Sequence, residues 1–212
     1  MTIKTVLFDF DGTLADSLPL IRRTYQRVFD QMNVPWDDVK VMKTVGLPLR
    51  QIAIKFVGEE RHTEFFQLYQ HYYAIEHDNM TRAYPGTLEM LADLKGNGCR
   101  MGVVTSKSHR VVMRSINFLG LERYFDVFIG AEDVTKHKPQ PEPILKALEL
   151  MGEPAATAAY VGDSPFDIMA GKRAGVVTIG VTWGISDRDE LVGHEPDYIL
   201  DTWADLVKII QP

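Results

Sequence analysis

The run Asp9-Phe10-Asp11-Gly12-Thr13-Leu14 carries the densest chemistry in the chain. It follows the apolar run Val6-Leu7-Phe8, so two carboxylates leave the end of a strand for a turn with a glycine behind them. Such a pair can share one divalent cation, and it can divide the work of nucleophile and general acid/base. Asp and Gly are also ordinary turn residues, so the pair carries weight only if partners exist elsewhere.

Partners do exist. Thr105-Ser106-Lys107-Ser108 follows Met101-Gly102-Val103-Val104. Lys136-His137-Lys138-Pro139 follows an apolar stretch at 126–130. Gly162-Asp163-Ser164-Pro165-Phe166-Asp167 follows Ala159-Tyr160-Val161. In a doubly wound sheet, ligands bind beyond the carboxyl ends of the strands. Acidic, hydroxylic and cationic groups would then meet along one edge.

The elements that must position these groups read clearly from residue 84 onward. Short apolar segments at 100–105, 126–130, 158–162, 176–181 and 197–200 alternate with helical patterns at 88–95, 109–119, 142–151, 166–174 and 203–210. Leu88, Leu91 and Leu94, and then Ile144, Leu145, Leu148 and Met151, mark apolar helix faces. Gly98, Gly120, Gly152 and Gly175 close four helices. Strands alternating with helices imply βαβ units, hence an α/β, Rossmann-like, doubly wound parallel sheet.

Residues 17–80 differ. Leu18, Ile21, Tyr25, Val28, Phe29 and Met32 form one helical stripe, and 39–45, 49–57 and 59–77 continue helical. Pro35, Gly46-Leu47-Pro48 and Gly58 interrupt them. The reading is an all-α insert at 16–81 within a core made of 1–15 and 82–212, with hinges near 15–17 and 81–85. Phe65, Phe66, Tyr69, Tyr72 and Tyr73 are expected in the core of the insert. His62, His71 and His77 are expected at its surface.

Composition narrows the partners. The chain has 212 residues, 45% apolar and 25% charged, with net charge −6 and no basic block. This argues against nucleic acid as a partner. No apolar run approaches the roughly 18 residues of a membrane span, and the N-terminus leads straight into a strand pattern, without a signal peptide. The single cysteine, Cys99, fits a reducing, cytoplasmic setting and reads as a small buried residue. His137 reads as a structural neighbour of Lys138, and His194-Glu195-Pro196-Asp197 as a turn.

Taken in order, Asp9-Phe10-Asp11-Gly12-Thr13-Leu14, Thr105-Ser106-Lys107, Lys138-Pro139 and Gly162-Asp163-Ser164-Pro165-Phe166-Asp167 resemble the four motifs of the haloacid dehalogenase superfamily. The insert resembles that superfamily's C1-type helical cap. The resemblance implies a covalent mechanism with Asp9 as nucleophile and Asp11 as acid/base. It implies Thr105, Ser106, Gly12 and Thr13 around the transferring phosphoryl group, and Lys138 neutralising charge. Mg2+ would be held by Asp9, Asp163 and the Asp11 carbonyl, with Asp167 orienting its neighbours. Many relatives have Asn where Ser106 stands, which shortens the reach of that contact.

The dehalogenases of the superfamily lack the second aspartate and use no metal, so Asp11 and Asp163 favour phosphoryl transfer. Phosphoglycolate phosphatases share this cap type and length. Bacillus-type inorganic pyrophosphatases look similar around Lys138-Pro139-Gln140-Pro141-Glu142-Pro143 and Asp187-Arg188-Asp189-Glu190-Leu191. The expectation is a small phosphorylated substrate and a monomer or weak homodimer. A sugar-phosphate mutase and an inactive phosphate-binding sensor stand as alternatives. Arg50, beside the cap break at 46–48, is the candidate reader of a second anionic group, and Lys43 a lesser one.

Overall fold

The computed structural model describes residues 3–210; Met1, Thr2, Gln211 and Pro212, which the sequence assigns to the core, lie outside the described residues. The central sheet has six parallel strands: β1 (Thr5–Phe8), β4 (Arg100–Val104), β5 (Val127–Ile129), β6 (Ala158–Gly162), β7 (Val177–Val181) and β8 (Tyr198–Leu200). Their order is β5-β4-β1-β6-β7-β8. Counted among the sheet strands alone this is 3-2-1-4-5-6, so the order reverses between β1 and β6.

Side chains alternate across the sheet as period-2 geometry requires. Val6, Phe8, Met101, Val103, Ala159 and Val161 pack on one face, against α4 (Thr87–Gly96), α5 (His109–Phe118) and α9 (Trp203–Ile210). Leu7, Val104, Ala158 and Tyr160 pack on the other, against α6 (Glu142–Met151) and α7 (Pro165–Ala174). A sheet covered on both faces explains why the strands read as continuous apolar runs. Leu88 and Leu145 are corrections: they are 41% and 44% exposed. Each lies one position past a buried neighbour, Thr87 or Ile144, about 100° around the helix, while Met90 and Ala147 face the core.

The insert folds as α1 (Leu18–Gln31), α2 (Asp38–Met42) and α3 (Leu49–Met80). Gly58, at φ 77°, breaks α3 into two helical stretches. Phe29 anchors a separate apolar cluster, with Trp36, Phe56 and Phe65 around its ring at 5.2–5.9 Å. The two crossings pair with each other: β2 (Ala15–Asp16) runs antiparallel to β3 (Arg82–Ala83). A short helix, α8 (Arg188–Val192), which the sequence reading did not single out, is capped by Asp187.

His77 is the second correction. It is buried, not at the surface: its ring bonds Ser115 Oγ on α5 at 2.8 Å and Asp78 at 2.6 Å. The end of α3 packs against the core there, and Arg114 of α5 pairs with Asp78 at 3.0 Å. Cys99 is half-buried, and burial pushes its thiol up to about 11, which keeps it protonated.

Candidate active site

β1 lies between β4 and β6, so the three segments that follow these strands are neighbours at the carboxyl edge. Asp9 continues β1, its amide donating to the Val161 carbonyl at 2.9 Å. Thr105 directly follows β4 and Asp163 directly follows β6. The remaining cation comes from the loop before α6. Lys138 reaches back to Asp9 at 3.1 Å and Asp167 at 2.7 Å, and donates to the Tyr160 hydroxyl at 3.1 Å.

This cluster is almost wholly buried: Asp9 is 4% exposed, Lys138 and Asp163 2% each, and Asp167 0%. Burial is the main force pushing the Asp9 carboxyl up to about 6; Lys138 pulls it down and Asp167 pushes it further up. Asp163 stands well above the usual carboxylate range, from burial and then from repulsion by Asp167 and Asp9. Burial works against the Lys138 charge, but Asp167 and Asp9 outweigh it and hold its pKa well above the ordinary value. Once ionised, the three carboxylates exceed the one ammonium by two negative charges, the number a divalent cation would balance.

The donor set identifies which oxygens are open. Asp9, Asp163 and Asp167 each offer a carboxylate oxygen within 4.8 Å of the others. Both oxygens of Asp167 are already engaged, Oδ1 by Lys138 and Tyr160, Oδ2 by the Ser164 amide at 3.0 Å and hydroxyl at 2.5 Å. Asp167 therefore holds Lys138 and the start of α7. Asp163 accepts from Thr13 Oγ1 at 3.2 Å and from the Ile185 amide at 2.7 Å. Asp9 Oδ1 has no hydrogen-bond partner among the described residues, although it is buried. A buried acceptor without a donor costs about 1–3 kcal/mol and is retained where function uses it.

Glycine makes the approach possible. Gly12 has φ 79°, and a Cβ there would sit 2.0 Å from Asp163 Oδ2. A Cβ on Gly184 would come within 2.2 Å of the Asp163 side chain. The backbone thus closes around the carboxylates from two loops.

Asp11 is held differently. Its Oδ1 accepts from Ser17 Oγ and from Lys107 Nζ, both at 2.5 Å. Lys107 also donates to the Tyr73 hydroxyl of α3 at 2.8 Å, so it ties the acid/base candidate to the helical insert. Burial opposes the Lys107 charge, but Asp11 and Tyr73 raise its pKa above the ordinary value.

The site opens into a cavity of about 460 Å³ that runs from Asp9, Asp11, Thr105 and Asp163 to side chains of the insert. Ser106 lines it without a side-chain partner among the described residues, and Arg50 lines it from an exposed position. Lys43 is exposed and does not reach it.

A haloacid dehalogenase-like hydrolase family model matches residues 6–181. The chain belongs to this family. Among its relatives, the pyrophosphatase PpaX of Oceanobacillus iheyensis is 31% identical, over 99% of this chain and 98% of that protein. A Dickeya dadantii protein named probable phosphatase IndB is 37% identical, over 95% and 91%. A crystal structure described as a predicted phosphoglycolate phosphatase from Haemophilus somnus superposes with TM-score 0.90 at 29% identity, covering 100% of this chain and 99% of that one. With these relatives, family membership makes the protein an enzyme, a hydrolase of phosphate esters.

The family's four motifs thus meet at one edge, with Arg50 apart on the exposed side of the cavity. Three contributions escaped the sequence reading. Lys107 had no assigned role, although a count of cations just past the strand ends would have found it. Tyr160 is a strand residue whose hydroxyl donates to the Val104 carbonyl at 2.8 Å and receives Lys138. The aromatics of α3 are the third. Phe65 and Tyr73 lie in the core of the insert as expected, with Tyr69 and Tyr72 packed against it, but Phe66, Tyr69 and Tyr73 also line the cavity beside the carboxylates.

Proposed function

We propose that the protein is a Mg2+-dependent phosphatase that hydrolyses a small phosphorylated metabolite through an aspartyl-phosphate on Asp9. The observation that carries this reading is the unpartnered, buried Oδ1 of Asp9, set beside Lys138 and Asp163 at the open end of the sheet. The residues that would hold Mg2+ are Asp9, Asp163 and the carbonyl of Asp11. Bound there, Mg2+ supplies positive charge to the phosphate oxygens and balances the surplus carboxylates.

The chain's own groups divide the remaining work. The Asp9 carboxylate attacks phosphorus, and the bond from phosphorus to the leaving oxygen breaks. Asp11 gives that oxygen a proton. Asp11 then takes a proton from water as the water attacks phosphorus and the bond to Asp9 breaks. Lys138, fixed by Asp167 and Tyr160, offsets charge on Asp9 and the phosphoryl oxygens in a water-poor site. The Thr105 hydroxyl and the Ser106 amide orient those oxygens. The helical insert at 16–81 serves as a cap, swinging on the paired crossings at 15–16 and 82–83 to admit substrate and exclude water.

Pyrophosphate and phosphoglycolate, taken from the names of relatives, are the first substrates to assay. The reading includes a cytoplasmic setting and a monomer or weak homodimer; no helix is long and apolar enough to cross a membrane among the described residues. The test is phosphate release from a panel of phosphorylated metabolites with Mg2+ and with EDTA. Equal activity in both would overturn the metal assignment. No release from any of them would overturn the enzyme.

A further inference from the structure

The cavity wall opposite the carboxylates suits a different leaving group from those the relatives' names suggest. Ile21, Val45, Leu47, Phe66, Tyr69 and Ile185 present apolar or aromatic surface to the same space that Asp9 and Asp11 line. Tyr69 stacks on Tyr73 at 5.8 Å and tilts against Tyr25 at 4.8 Å, which makes a continuous aromatic panel. Burial raises the pKa of all three phenols, so they stay neutral. At about 460 Å³ the space lies in the range that encloses ring-sized organic ligands.

The cations are placed unfavourably for a second buried anion. Lys107 is already shared between Asp11 and Tyr73, and Arg114 is paired with Asp78. Arg50 and Arg110 are exposed. The distal phosphate of pyrophosphate, or the carboxylate of phosphoglycolate, would lose water against apolar walls and aromatic faces, where the buried ammonium of Lys107 is already committed to Asp11 and Tyr73. An apolar group would gain free energy from the same walls.

Resting on the phosphatase reading above, we infer that the preferred substrate is a phosphomonoester of an apolar, ring-sized alcohol, with the alcohol seated against Phe66 and the tyrosine panel. Phosphorus sits at Asp9, the ester oxygen faces Asp11, and the organic body fills the cavity. Specificity then comes from burial of apolar surface in the cap, with Arg50 and Arg110 left in water.

A series of n-alkyl phosphates tests this, because lengthening the chain from ethyl through butyl to hexyl changes apolar area while leaving the chemistry of the ester oxygen nearly constant. 3-Phenylpropyl phosphate, pyrophosphate and phosphoglycolate complete the set, each with Mg2+ and with EDTA. About 0.8 kcal/mol for each buried methylene corresponds to a rise in kcat/KM of about 4-fold per methylene, or roughly 200-fold from ethyl to hexyl. A rise of twofold or more per methylene, with hexyl or phenylpropyl phosphate ahead of both pyrophosphate and phosphoglycolate, supports the inference. A shallower rise, or pyrophosphate or phosphoglycolate ahead, overturns it while leaving the phosphatase intact. Absence of Mg2+-dependent hydrolysis throughout the set overturns both. Phe66→Ala supplies an internal control, since Phe66 lines the cavity and is only partly buried. The hexyl-to-ethyl ratio of kcat/KM should fall at least threefold in the variant; an unchanged ratio would mean that the alcohol does not contact Phe66, and the inference fails.

Discussion

Asp9→Asn should abolish activity and stabilise the metal-free protein. In the folded state burial and Asp167 hold the Asp9 carboxyl near 6, against 3.8 for the ordinary group, even with Lys138 only 3.1 Å away. Between these values the folded protein keeps a proton that the unfolded chain releases. Stability therefore falls as pH rises through that window and stays reduced above it. About two units at 1.36 kcal/mol each give roughly 3 kcal/mol that an ionised Asp9 costs at pH 7.5. Asparagine imitates the protonated acid and carries no charge, so it should recover up to about that amount. For a chain of this size the gain is a rise in Tm of roughly 6–12 °C. The assay is thermal or urea unfolding in EDTA at pH 7.5 and at pH 3.5. The gap between variant and wild type should be largest at pH 7.5 and close toward pH 3.5, where the wild-type carboxyl is protonated in the folded state and mostly protonated in the unfolded chain. Saturating Mg2+ should also narrow it, because the wild type gains about 2.7 kcal/mol at a hundred times Kd and the variant gains less. Activity should drop by about 10³-fold or more, since the nucleophile is gone. A variant no more stable than wild type in EDTA at pH 7.5 would refute the electrostatic account of the site.

Asp11→Asn should lower kcat by about 10²–10⁴-fold and let a phosphorylated Asp9 peptide accumulate during turnover, as mass spectrometry would detect; a phosphoryl group on another peptide would exclude Asp9 as nucleophile. Asp163→Ala should leave a folded protein that is no longer stabilised by Mg2+ in a melting assay, and an undiminished Mg2+ shift would remove Asp163 from the metal site. Arg50→Ala should cost no more than about fivefold in kcat/KM, because an exposed guanidinium contributes at most about 1 kcal/mol; a hundredfold loss on pyrophosphate or phosphoglycolate would restore it as a specificity residue. His77 is held below its ordinary 6.5 by burial, against the pull of Asp78, so the unfolded chain takes up a proton first as pH drops below 6.5 and stability should fall. His77→Gln should make the slope of stability between pH 5.0 and 6.5 shallower by up to about 1.4 kcal/mol per pH unit, and an identical slope would show that His77 titrates freely.

Features whose signals are local could be read from the residues alone. Strand runs such as 158–162 and helices such as 142–151 and 203–210 were legible to the residue, because period-2 and period-3.6 patterns and glycine stops are written in adjacent positions. The four groups past the strand ends were legible for the same reason: a parallel sheet places every strand's carboxyl end on one edge, so the sequence order of the clusters already implied that they meet. Tertiary structure decided what a helix face looks onto. The aromatic stripe of α3 is apolar whether it meets protein or empty space, so the sequence could not separate Phe65, in the core of the insert, from Phe66 and Tyr69, in the cavity wall. His77 was lost in the same way, because its burial depends on α5, which lies more than thirty residues further along the chain. The open oxygen of Asp9 was decided there too: residue types told which carboxylates meet Lys138, but only their packed geometry left one oxygen without a donor.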